Sequence, residues 1–230
     1  MDIRDEAKST MDLINIPRIV SIYRQARLTF DDRPKTDFQS NMNKLKSMMD
    51  CLKAEDLGYD NNLTSLQFWE RPGKMPLHDH PHMHGLLKVI SGAVNVRSYS
   101  EYPVQEAVNP KEFELRARQE AKRLAQGQHK ERKLFAEISS HRICTDNSNT
   151  CILTPTISNY HELEALDMPA AFFDILSPPY DTLIEGIGPR RCRYYYVANN
   201  ISTNLVELQE TDVPTCFYCD QAPYLGPILG

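Results

Sequence analysis

No run of apolar residues in this chain approaches the roughly 18 that a membrane-spanning helix needs. A basic excess is missing too. The chain carries 26 Lys and Arg against 31 Asp and Glu, a formal net charge of −5. A general nucleic-acid binder normally presents a basic surface, so that class is excluded. The opening MDIRDEAKSTMDLINIP mixes charges of both signs, holds no apolar segment and does not read as a secretory leader. A second CxxC is also lacking. The single pair Cys216–Cys219 in TCFYCD has neither a partner pair nor a histidine nearby in sequence to complete a structural zinc site. Six cysteines in a chain of this kind read mostly as free thiols. There is no internal repeat and no low-complexity linker. The expectation is a soluble, cytoplasmic protein with no nucleic-acid or membrane partner.

What is present is ordinary for a globular fold. The 230 residues are 41% hydrophobic and 25% charged, enough to bury a real core. In NIPRIVSIYRQARLTF, Ile19, Ile22, Tyr23, Ala26 and Phe30 recur at helical spacing behind a possible cap at Asn15 and Pro17 near the first turn. DFQSNMNKLKSMMDCL repeats the pattern with Met42, Leu45, Met48, Met49 and Leu52; such stripes are core rather than function. The period then shifts. LTSLQFWERPGKMPLHDH is rich in β-formers, and HGLLKVISGAVNVRSYS reads as two strands around the turn Ser91–Gly92. Residues 101–140 are charged. Asn109, Pro110 and Gly127 bracket a helix there, best read as a solvated insertion. RICTDNSNTCILTP, AAFFDILSPPYD, CRYYYVANNI and LVELQETD return to short strands with turns between them. The organisation expected is one domain over 1–230, an all-β core with helical decoration at 1–60 and a charged helical insertion at 101–140.

Four of the seven histidines alternate in MPLHDHPHMHG, at His78, His80, His82 and His84. Alternate side chains of a strand share a face, and His-x-His presents two imidazoles to one metal. A third ligand must come from elsewhere. His161 in SNYHEL, between a turn and a strand, is best placed. His129 lies beside the charged helix and His141 begins a possible strand, so both are weaker. Taken alone, each is more readily a surface or core histidine. His82 follows Pro81, which disturbs the strand. His84 is open between facing the metal, bonding to a ligand-holding residue, and meeting substrate or water. Asp79 should point away from its flanking histidines, so no carboxylate ligand is evident. Ligand type alone does not choose between iron and zinc.

MPLHDHPHMHGLLKVISG resembles the cysteamine (2-aminoethanethiol) dioxygenases and, more distantly, the plant cysteine oxidases, which are cupin-fold thiol dioxygenases with a three-histidine iron site. NLTSLQFWERPGKMPLHDHP, FFDILSPPYD and CRYYYV follow in the family's order, and QARLTF and KAEDL are similar as well. The resemblance covers most of the chain, least so residues 101–140. It implies a cupin barrel (double-stranded β-helix, or jelly roll) carrying Fe(2+) on His78, His80 and His161. It also implies that Asp174 and Tyr180 belong to the active-site region. Cys192 and Tyr194 correspond to the pair that is joined by a thioether in the animal enzymes. The chain departs from many relatives at His82, where they carry glycine. Where the usual cupin places a glutamate ligand, this chain has His84, as its family does.

The activity implied is oxidation of a thiol by O2 to the sulfinic acid. The implied substrates are cysteamine or the N-terminal cysteine of proteins, the latter with a role in oxygen sensing; the chain is expected to act as a monomer. Two alternatives stand beside it: a non-catalytic metal-binding cupin, and a dioxygenase of free cysteine, which needs a cation for the substrate carboxylate. A protein that docks partners through its charged helix is a third, weaker reading.

Overall fold

The computed structural model describes residues 16–31, 37–59, 73–102, 132–166, 170–217 and 223–229. Helix α1 (Arg18–Phe30) starts at Pro17, whose carbonyl accepts the amides of Val20 and Ser21. Asn15, the expected cap, lies outside the described residues. The buried stripe of α1 is Ile19, Val20, Ile22, Gln25 and Thr29, whereas Tyr23, Ala26 and Phe30 are only half-buried. Gln25 and Thr29 escape a hydrophobicity pattern because they satisfy each other. The Thr29 hydroxyl donates to the Gln25 carbonyl at 2.7 Å, and Gln25 Nε2 donates to Thr29 Oγ1 at 3.3 Å. Helix α2 (Phe38–Asp50) buries Met42, Leu45 and Met49, with Leu52 just beyond, as its spacing predicts, while Met48 is only half-buried.

Eleven strands follow among the described residues: β1 (Lys74–Asp79), β2 (His84–Ser91), β3 (Ala93–Glu101), β4 (Lys133–Thr145), β5 (Cys151–Leu153), β6 (Tyr160–Ala165), β7 (Ala171–Ser177), β8 (Leu183–Ile184), β9 (Gly188–Pro189), β10 (Tyr194–Asn200) and β11 (Leu205–Thr211). Six of them close on themselves in the order β1-β10-β11-β4-β3-β6, and every pair is antiparallel. Closure leaves no free edge in this layer. A three-stranded sheet, β5-β2-β7, forms the second layer, and β8 and β9 make a small hairpin. This is the expected all-β cupin architecture with helices at its N-terminal side.

The turn at Ser91–Gly92 differs from expectation. Both strands exist, but they do not pair as a hairpin. β2 bonds to β5 and β7, while β3 bonds to β4 and β6. Gly92, at φ 69°, carries the chain from one layer to the other. The cause lies in β2, which is buried without a break from Gly85 to Ile90. A strand of that kind is covered on both faces. Leu87 and Val89 pack with Val94, Val96 and Leu163 of the closed sheet. Leu86 and Ile90 pack against the residues of α1 and α2. Lys88 is buried with them, and its Nζ donates to the carbonyls of Asp146 and Ser148, each at 2.6 Å.

The expected insertion also changes. Residues 133–140 are not helical; they are the first half of β4. Charged neighbours mask its alternation, yet Leu134 and Ala136 bury themselves with Val206 and Leu208 of β11. The rest of the insertion, with the expected helix at 109–127 and His129, lies outside the described residues. So do most of LTSLQFWERPG and Cys219.

Candidate metal centre

β1 and β6 run antiparallel with His78 directly opposite His161. Residues opposite each other in such a pair point to the same face. His80, just past the end of β1, joins them. The ligating nitrogens of His78, His80 and His161 lie within 4.8 Å of one another, and all three residues are buried. Their ring centroids are 4.7, 4.6 and 4.5 Å apart. Among the described residues no carboxylate or thiolate joins the group.

The backbone orients these rings. His78 Nδ1 lies 2.9 Å from the Pro76 carbonyl and His80 Nδ1 lies 2.8 Å from the Asn159 carbonyl. A carbonyl only accepts, so each Nδ1 carries the proton and donates it. That leaves Nε2 with a free lone pair, the tautomer a metal takes. His80 Nε2 and His161 Nε2 are buried without a hydrogen-bond partner among the described residues. Stranding an acceptor in this way costs about 1–3 kcal/mol, and two such atoms converging on one point fit a metal ion. Burial keeps the rings neutral. It lowers His78, and with the charge of neighbouring His78 it drives His80 down to about 3. His161 falls well below the ordinary histidine value for the same reasons.

Asn159 is the residue that sequence reasoning missed. Its Oδ1 accepts from the His80 amide at 3.2 Å, and its Nδ2 donates to the His80 carbonyl at 2.8 Å and to the Thr154 carbonyl at 2.7 Å. Side chain and backbone together lock His80 in place although that residue is outside the strand. The signal was present: Asn159 stands two residues before His161, the spacing that also relates His78 to His80. Arg190 left no such signal in GIGPRR. It is buried, and its Nε donates to the Pro81 carbonyl at 2.8 Å while its Nη1 donates to Thr182 Oγ1 at 2.8 Å. It thereby pins the turn after His80.

Asp79 points away from the histidines, as alternation predicts. Its Oδ1 accepts from the Arg193 amide at 2.8 Å and its Oδ2 from the Tyr195 hydroxyl at 3.1 Å. Burial still pushes its carboxyl up to about 6 against these donors. Tyr180 donates its hydroxyl to the Asp79 carbonyl at 2.6 Å, with its ring centroid 5.9 Å from that of His80. Tyr194 sits opposite His78 across β1 and β10, ring centroids 6.4 Å apart. Cys192 precedes the start of β10, so strand alternation does not relate it to Tyr194. Burial pushes its thiol up, and the hydroxyls of Tyr180 and Tyr194 pull it the other way. Asp174 lies on β7 opposite Leu87, so it shares the face that Leu87 turns to the closed sheet. Its carboxyl is buried with Oδ1 unpartnered among the described residues. Burial, followed by the charge of Cys151, pushes it up to about 7.

The remaining histidines fall elsewhere. His84 lies against the rings of Phe30 and Phe38, at centroid distances of 6.4 and 5.0 Å, and is not part of the cluster. Alternation along β2 puts it with Leu86 and Ile90, on the helix side. His82 is exposed at φ 54° in the turn. His141 is exposed on β4 beside Arg97.

A buried, carboxylate-free trio of neutral imidazoles on a two-layered β-barrel is the arrangement of a metal-binding cupin. Comparison with known proteins narrows the class. The PCO_ADO family model matches residues 24–229. The chain is 33% identical to the 2-aminoethanethiol dioxygenase of Homo sapiens over 226 residues, covering 83% of this chain and 82% of that protein. It is 32% identical to the 2-aminoethanethiol dioxygenase of Mus musculus, covering 91% and 95% respectively. The chain belongs to the PCO_ADO family.

Proposed function

We propose that this protein is a thiol dioxygenase. It holds iron(II) on His78, His80 and His161 and adds both atoms of O2 to the sulfur of an aminothiol, R–SH + O2 → R–SO2H. The observation that carries this reading is the convergence of neutral imidazoles, two of them with buried Nε2 atoms that have no partner, and with no carboxylate beside them, among the described residues. Iron(II) in such a site supplies open coordination positions and the redox chemistry that zinc lacks. Three neutral imidazoles would leave the charge of a bound metal uncompensated, so the site would favour the anionic, thiolate form of the substrate.

The chain's own residues then bind and orient. The aminoethanethiol unit is common to cysteamine and to a protein's N-terminal cysteine, and the relatives' names support that substrate class. Asp174 faces the space between the layers with an unpartnered oxygen. A substrate ammonium beside it draws the carboxyl into its ionised form. Tyr180, fixed to the Asp79 carbonyl, stays protonated because burial raises it, and serves as a hydrogen-bond donor at the rim of the site. Cys192 and Tyr194, two residues apart at the start of β10, are the pair for a thioether that fixes the Tyr194 ring. On this reading residues 1–230 form one cupin domain, a cytoplasmic monomer whose action on protein N-termini reports oxygen.

The test is anaerobic iron loading followed by O2 uptake with cysteamine, free cysteine and a Cys-initiated peptide. Uptake with cysteamine or the peptide, with sulfinic acid as product, is expected. Uptake with free cysteine alone assigns a different substrate. No uptake with any thiol by iron-replete protein refutes catalysis.

A further inference from the structure

Away from the histidines, two thiols meet between the layers. Cys144 on β4 is buried in the closed sheet, and Cys151 on β5 is half-buried in the three-stranded sheet. Their sulfurs are 3.8 Å apart. The exposed Arg142 places Nη2 2.9 Å from the Cys151 sulfur. The Cys144 thiol donating to it, together with the Arg142 guanidinium, holds Cys151 down to about 6, while burial opposes. Cys144 moves the other way, so one sulfur is poised as thiolate and the other as thiol.

The loop between them is fixed from several sides. Lys88 holds the carbonyls of Asp146 and Ser148, the Asp50 carboxylate accepts the Thr150 amide at 2.7 Å, and Ser148 Oγ accepts the Thr145 amide at 2.9 Å. The two sulfurs therefore stay together without any need for the fold to open. A disulfide bond of about 2.0 Å requires them to close by only about 1.8 Å from their 3.8 Å separation.

We propose that Cys144 and Cys151 are a redox couple in which Cys151, paired with Arg142, is the attacking thiolate and Cys144 the resolving thiol, with a low-molecular-weight disulfide such as oxidised glutathione as oxidant. Cys151 sulfur attacks one glutathione sulfur, forming a mixed disulfide and releasing one glutathione thiolate. Cys144 gives up its proton and attacks Cys151 sulfur, and the second glutathione leaves. The protein, starting as one thiolate and one thiol, loses two electrons and one proton; the electrons leave on the two glutathione thiolates, which become thiols with that proton and one from solvent. The product staples the closed sheet to the three-stranded sheet. It also removes the charge of Cys151, which shares with Asp174 the sheet face on either side of Leu87.

The experiment uses the metal-loaded full chain under anaerobic conditions with oxidised glutathione, read by peptide mass after thiol blocking. The expected product is a Cys144–Cys151 peptide pair, lost again on reduction. In Cys144→Ser the glutathione mixed disulfide accumulates on Cys151; in Cys151→Ser no glutathione appears on Cys144. Arg142→Ala, a change at an exposed side chain, slows the reaction at pH 7 by about threefold, since loss of thiolate outweighs the gain in intrinsic nucleophilicity. That variant also moves the alkylation pH profile of Cys151 upward. Glutathione on the exposed Cys51 and Cys216 with none on Cys151, or reaction of Cys144 in the Cys151→Ser variant, overturns the proposal. These readouts do not depend on turnover, so their failure is distinct from failure of the dioxygenase reading.

Discussion

HDH and HMH stand four residues apart and look alike, yet they finish in different layers of the molecule. His78 and His80 leave β1 toward His161 and are held by carbonyls of Pro76 and Asn159. His82 sits in an exposed turn at φ 54°, and His84 opens β2 against Phe30 and Phe38. The alternation that suggests four equivalent side chains holds only while the backbone remains one strand. β1 ends at Asp79 and the turn at Pro81 and His82 interrupts it. After the turn, the outward face of β2 meets helices instead of β6. Equal spacing in sequence thus yields ligands on one side of a turn and packing on the other.

The sharpest break of this comparison is His161→Ala against His84→Ala. The first removes a cluster nitrogen, and metal content measured after loading should fall to background, with O2 uptake lost. The second should leave metal content unchanged and lower stability by about 1 kcal/mol, the scale of a ring–ring contact. Metal loss in His84→Ala at intact fold would erase the distinction. Next in size is Asn159→Ala, which frees His80 from its side-chain clamp. Metal affinity should fall about 10–100-fold, the usual cost of losing an outer partner of a ligand. A competitive chelator titration measures it.

Acid sharpens the comparison further. A folded acid constant held far below the ordinary histidine value of about 6.5 means that protons do not compete with metal until the pH approaches that lower value. For His80 it is about 3. The rise in melting temperature caused by metal should therefore be the same at about pH 7.5 and about pH 5.5. A decline centred near 6.5 would mean that the ligands titrate as exposed histidines do. In the metal-free chain the same depression makes the unfolded state the better proton acceptor, so these histidines cost stability as pH falls below about 6.5. Asp79 and Asp174, raised to about 6 and about 7, act in the opposite sense because the folded state takes up their protons first. The smallest effect belongs to His82→Gly. Glycine adopts positive φ without a steric cost but adds freedom to the unfolded chain. The net gain should stay under about 1 kcal/mol by chemical denaturation, with metal content unchanged.

Much of this was legible in advance because short-range periodicity carries it. The stripe of α2, the alternation of Val94 and Val96 and the turn of Asp79 away from the histidines all follow from 3.6- and 2-residue periods. The spacing that revealed His78 and His80 applies equally to Asn159 and His161, and reading it at both ends would have found the clamp. Other features leave no such mark. Gln25 and Thr29 are buried because they bond to each other, Arg190 because it meets Pro81 from a distant loop, and Leu134 and Ala136 because β11 covers them.

Residue type and local spacing were enough for the β-rich core, the helical start, the His-x-His half-site and the turning of Asp79 away from the histidines on either side of it. Only the tertiary structure decided which histidine completes the trio, that β2 and β3 part at Gly92, and that Cys144 lies beside Cys151. Those are contacts between layers. They depend on which face of one strand another element covers, and a face acquires its partner only when the chain has closed around it.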